Sequence, residues 1–161
     1  MPEAAEDRIQ PCLFDRLIDD HPESKTDSRG ERAISLKRYR EGVLRDLGWL
    51  LNAKAHLETD DINLFGEAAR SVVNFGIPDL CGQLASGLDL GEVERQIVEA
   101  VERFEQRIIP NTVAVTAVEA GEKVGPSTIA FEIRGDLWAS PVPEQLYLKT
   151  QIDLETGQCV L

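Results

Sequence analysis

The hydrophobic period of this chain changes once, at Pro110. Before it, apolar residues recur at three- and four-residue steps, the repeat of one helix face; after it they alternate, the repeat of a half-buried strand. Helices first and strands later restrict the chain to an α+β domain. In it an antiparallel β-sheet from the C-terminal third packs against two main helices, which cover one of its faces. At 161 residues with 42% apolar content, one domain with a real core is within reach.

The first main helix is expected from Ser35, its cap, to about Ala53. Leu36, Tyr39, Val43, Leu44, Leu47, Leu50 and Leu51 form its apolar stripe, and Glu41 and Arg45 have the spacing of an i,i+4 pair. Gly48 inside it points to close packing there. The second helix is expected from about Leu90 to Ile108, with Asp89 and Glu92 at capping-box spacing and Pro110 as its stop. Its core stripe is Ile97, Val101, Phe104 and Ile108, with Arg95, Glu99, Arg103 and Arg107 along another face. Between the helices, residues 71–80 are too apolar for a solvated loop and too punctuated for a helix. A buried connection is expected, with Val73, Phe75, Ile77 and Leu80 inside. Strands are expected over Asn111–Ala120, Thr128–Arg134 and Gln145–Leu154, with a bulge or bend at Gly135-Asp136 and a short last strand at Cys159–Leu161.

The first 32 residues read differently from the 33–161 domain. A polar tail leads to an apolar island in which Leu13, Phe14, Leu17 and Ile18 share one face of a short N-terminal helix, followed by a polar linker from Asp19 to Arg32. Such a helix is too short to stand alone in water and must dock, either on this domain or on a partner reached by the tether.

The formal net charge is -12. That disfavours nonspecific nucleic-acid binding and docking on anionic lipid or cell-wall polymer, because a polyanion is held by Lys and Arg. The only basic concentration runs from Arg29 to Arg45, six basic residues against two acidic, and Lys37, Arg38 and Arg40 form a candidate basic face. Cys12, Cys81 and Cys159 lie far apart, which fits a reducing compartment, and His21 and His56 lack metal-ligand spacing. No apolar run is long enough to cross a membrane and no signal region precedes the domain, so a cytoplasmic protein without direct membrane insertion is expected.

Catalytic motifs are missing: no G-x-S-x-G, P-loop, G-x-G-x-x-G or H-E-x-x-H occurs. No catalytic residue, cofactor or metal site is assigned. Paired carboxylates are the one open enzymatic route, and Glu105, beside Phe104 near a helix end, is the most suggestive candidate. A helix C-terminus disfavours a carboxylate, so Glu105 is expected to have a compensating donor that fixes the helix against the sheet. Arg107, two residues on along a helix, would face elsewhere and not pair with it.

Four segments carry a resemblance. Phe104-Glu105-Gln106-Arg107-Ile108 is similar to the Phe-Glu-Pro-Arg-Leu signature of the lysozyme-like baseplate wedge proteins of contractile tails. Residues 71–80, with Asn74, Gly76, Pro78 and Asp79, resemble the Ser-Val-Leu-Asn-Tyr-Gly-Leu-Pro-Asp-Leu stretch of the same family. The run Leu137–Thr150 with Asp153–Gly157, and the early Leu13–Leu17, resemble the TssE family of type VI secretion baseplates. The resemblance implies a single wedge domain that assembles with TssF, TssG and TssK. It also implies docking of the contractile sheath of TssB and TssC by strand exchange at a sheet edge. It makes Glu105, Arg107, Asn74, Gly76, Pro78 and Asp79 assembly residues, with Gln106 where the family has proline. The family's lysozyme label raises the alternative of a peptidoglycan-cleaving muramidase.

Overall fold

The computed structural model describes residues 9, 11–18, 22–23, 34–55, 64–118, 125, 127–139 and 142–161. The expected tail falls outside these residues except for Ile9, and the expected linker except for Pro22 and Glu23. The order is α1 (Leu13–Leu17), α2 (Leu36–Asn52), α3 (Gly66–Arg70), two 3-10 turns (Val72–Asn74 and Ala85–Gly87), α4 (Leu90–Phe104), β1 (Ala114–Val118), β2 (Thr128–Leu137), β3 (Glu144–Asp153) and β4 (Cys159–Val160). The strands form one antiparallel sheet in the order β1-β2-β3-β4, a plain meander. The expected α+β fold is the one observed.

Both main helices bury most of the predicted stripes, with Leu36 exposed and Leu44 and Phe104 only partly buried. α2 starts where the Ser35 hydroxyl accepts from the Arg38 N–H, and it buries Tyr39, Val43, Leu47, Leu50 and Leu51. α4 starts where the Asp89 carboxylate accepts from the Glu92 N–H, and it buries Val93, Ile97, Ala100 and Val101. Only half of the capping box forms, because the Glu92 carboxylate turns to Arg95 and Gln96 instead. The inner sheet face adds Ile129, Phe131, Ile133, Leu146, Leu148 and Ile152 to the same core. Each such side chain contributes about 1.5–3 kcal/mol by leaving water, so this three-sided core dominates stability. The outer sheet face is polar, and there Glu132 pairs with Arg134 and Lys149.

Four local expectations are corrected. α4 ends at Phe104, not Ile108, and it is Glu105, with φ −108° and ψ 86°, that leaves the helical region ahead of Pro110. Ile108 still reaches the core, but through a β-bridge to Leu137 beyond the helix. No bulge forms at Gly135-Asp136, where pairing with Leu146 and Gln145 is unbroken. Gly135 is needed because a Cβ there would lie 3.0 Å from Ile108 Cγ2. Arg45 does not pair with Glu41, which faces Lys37 instead, at 3.9 Å. Val73 is 66% exposed, because the 3-10 turn swings it outward, while Ile77 and Leu80 are buried and Phe75 is partly so. Gly48 is tightly packed as expected, with Leu161 Cδ1 3.1 Å from where its Cβ would stand.

Candidate functional site

Where α4 ends, the chain crosses to the sheet. Ile108 N–H closes a turn on Glu105 C=O at 3.2 Å, Ile109 N–H donates to Asp136 C=O, and Trp138 N–H donates to Arg107 C=O at 2.8 Å. The turn places the Glu105 carboxylate beside the Arg107 guanidinium. Oε1 accepts from Arg107 N–H at 3.0 Å and from Nε–H at 2.8 Å, and Oε2 accepts from a terminal N–H. The expected donor for Glu105 is therefore Arg107, and the expectation that the two do not pair is overturned. It assumed a helix, and the helix has already stopped.

The pair belongs to a longer polar chain. Arg107 also donates to Asp46 Oδ2 of α2 at 2.5 Å. Asp46 Oδ1 accepts from Arg45, and Arg45 donates to Asp15 Oδ1 of α1 at 2.6 Å. Glu105, Arg107, Asp46, Arg45 and Asp15 thus tie α1, α2 and the end of α4 together. Gly42 makes room for it, since a Cβ there would lie 3.3 Å from Asp15 Oδ2 and 3.6 Å from an Arg107 terminal nitrogen. Glu105 is only 5% exposed. Burial works against the charge of Arg107, but the bonds to Glu105 and then Asp46 outweigh it and its pKa moves up. Arg45 is raised by Asp46 and Asp15. Burial works to raise Asp15, yet its bonds from Arg45 and Cys12 carry it below the usual carboxylate range.

Gln106 sits at the second position of the Glu105–Ile108 turn, exposed, and its N–H makes no backbone hydrogen bond. Proline suits that position because its fixed φ matches the turn and no donor is lost. Gln106→Pro is expected to stabilise the chain by about 0.4–1 kcal/mol, read as a rise in melting temperature. A fall would show that the turn differs from this geometry.

A second set of signature residues forms a clamp on the end of α2. Ile77 N–H donates to Ala53 C=O and Ala55 N–H donates to Ile77 C=O, a parallel bridge. Gly76 lies against that backbone at φ +131°. Asn74 is buried and donates to Ala69 C=O. Asp79 pairs with Lys54, which holds its carboxyl below the usual range, and also accepts from Cys81 N–H. Pro78 lies between Ile77 and Asp79 in the same segment.

α1 docks on its own domain, yet its apolar residues stay out. Asp15 faces inward, Phe14 meets Trp49 edge-on at 5.4 Å, and the Arg45 guanidinium lies about 5 Å from both ring centres. Leu13 and Leu17 are 70% and 74% exposed, and Phe14 and Ile18 are about half exposed. Of the basic face, Lys37 meets Glu41, Arg40 approaches Glu144 at 3.6 Å, and Arg38 gives its N–H to Ser35. The Asp15, Arg45 and Asp46 links escaped sequence reasoning, since no local spacing marks a contact across 30 residues.

A family model described as baseplate wedge protein gp25 matches residues 37–142. The chain belongs to this baseplate wedge family. The matched stretch runs from α2 through the clamp, the Glu105–Arg107 turn and β2, so the family core is a structural part of a contractile tail baseplate. Membership in the wedge family implies contact with other baseplate components. No curated protein and no solved structure matches the chain. Among the described residues, no helix is long and apolar enough to cross a membrane.

Proposed function

We propose that the chain is a TssE-type subunit of a type VI secretion baseplate. It works in the cytoplasm, at the baseplate docked near the inner membrane. It joins TssF, TssG and TssK in the wedge and starts the sheath of TssB and TssC by accepting a strand at a sheet edge. The observation that carries this reading is the wedge-family match across residues 37–142, together with four ordered segments, two that resemble the wedge family and two that resemble TssE. Glu105 and Arg107 serve assembly by holding α1 and the sheet in a fixed relation through Asp46 and Arg45.

The exposed apolar side of α1 is the wedge anchor in this reading. Its docking through Asp15 leaves Leu13 and Leu17 free to meet a partner. Deleting the helix would take Asp15 from Arg45 and leave it only Asp46, so substitutions on the outer side are the cleaner test. Leu13→Glu with Leu17→Glu is expected to change stability by less than about 0.5 kcal/mol, as exposed positions do, and to abolish co-purification with TssF and TssG. Retained co-purification would remove the anchor.

The muramidase alternative needs a carboxyl able to reach a glycosidic oxygen. Both oxygens of Glu105 are turned to Arg107 and the group is buried, which speaks for assembly. The reading as a whole is tested by purifying the tagged chain with TssF, TssG and TssK. A stable wedge is expected, and failure of all three to bind would contradict it.

A further inference from the structure

The two edges of the sheet are closed to different degrees. At β4 the Asn52 carboxamide copies a neighbouring strand: its oxygen accepts from Cys159 N–H and its nitrogen donates to Cys159 C=O, both at 2.9 Å. That edge is two residues long and already satisfied by α2. β1 is five residues long and is treated otherwise. Glu94 Oε1 of α4 accepts from Ala117 N–H at 2.6 Å, so Ala117 points its backbone away from β2. Orientation alternates along an antiparallel ladder, so Val115, two residues back, points the same way. Among the described residues no hydrogen bond meets Val115 N–H or C=O outside the sheet.

α4 runs antiparallel to this edge and lines it with carboxylates. Glu102, about two turns further along α4, accepts from Asn111 N–H just ahead of β1 at 2.8 Å. Neither Glu94 nor Glu102 makes an ion pair with a described cation, and Arg95 beside them is taken by Glu92 and Glu99. Open backbone groups bordered by two uncompensated carboxylates favour one kind of added chain, an extended segment with basic side chains.

We propose that β1, not β4, is the edge that takes an added strand, and that this strand carries Lys or Arg that draws Glu94 off Ala117 N–H. The proposal rests on the strand-exchange reading above and adds the edge, the gate and the chemistry of the partner. The capping carboxylate closes the edge in the free subunit, which protects it from pairing with a second copy. A basic strand opens it by offering Glu94 a cation and Ala117 a carbonyl.

Amide hydrogen exchange on the full chain tests this with two probes. One is a short extended peptide of alternating valine and threonine carrying lysines, with a glutamate version as control; the other is the purified TssB–TssC sheath subunits. With the lysine peptide, exchange at Val115 and Ala117 is expected to slow by about tenfold or more, with no change at Cys159 and little effect from the glutamate peptide. Glu94→Lys is expected to remove that protection. Val115→Pro, read at Ala117 alone because proline has no amide, is expected to weaken that protection, since the lost N–H points outward, and its melting curve reports the cost of replacing a buried side chain. Equal protection by both peptides, protection at Cys159 instead, or none at Val115 would overturn the proposal. If the lysine peptide protects β1 but the sheath subunits do not bind, the edge stands and the sheath reading falls.

Discussion

Gly76→Ala is expected to cost about 3 kcal/mol, a large effect for one methyl group, as strain combined with a clash produces. Two causes act together. The backbone stands at φ +131°, where side chains are rarely tolerated, and the added Cβ would lie 2.4 Å from Ala53 C=O and 3.0 Å from Ala55 N. Those are the atoms of the parallel bridge to Ile77, so the clash cannot be relieved by turning a side chain. Gly82 provides the control. It also has positive φ, +78°, but nothing lies within 4 Å of its Cβ position. Gly82→Ala should therefore show only the conformational cost, about 1 kcal/mol. In thermal melts each kcal/mol moves a chain of this size by roughly 2–4 °C. Similar losses for the two variants would mean that the clamp is not packed as described.

Arg107→Met is the second large effect. The substitution keeps the apolar length of the side chain but leaves Glu105 buried without its donors and Asp46 with one cation fewer. Breaking a buried pair from one side costs about 3–5 kcal/mol, because the remaining charge is uncompensated. Asp46 retains Arg45, so the lower end of that range is expected. Glu105→Gln should be milder, since Arg107 keeps Asp46 and the amide oxygen still accepts. The double variant should lose less than the two single losses added, as coupled partners do. Additivity would show that the two side chains do not act as a pair.

The regular elements were legible from the sequence because each follows from local rules. Ser35 caps α2, Asp89 caps α4, and the alternation through Ile129, Phe131 and Ile133 sets the inner sheet face. The end of α4 was not legible. Ile108 falls at a helical step from Phe104 and so extends the apparent stripe, although it reaches the core from a bridge. No glycine marks the stop, which is made by a turn whose carboxylate binds its own neighbour. That one error hid the site, because Glu105 and Arg107 can meet only once the helix is broken. Arg45 was misassigned for a related reason. Sequence spacing offers Glu41, whereas the fold brings Asp15 from thirty positions away and uses Asp46 next door. Gly76 stood out as punctuation, but its need is tertiary, set by the α2 terminus that it touches.

The proposed role of this chain is that of a structural part on which a sheath begins. Its most direct measurement is sheath growth from TssB–TssC on purified TssF–TssG–TssK wedges, with and without the chain, counted by electron microscopy as sheaths attached at one end to a wedge assembly. Attached sheaths are expected when the chain is present and few without it. Equal numbers of attached sheaths in its absence would contradict the claim.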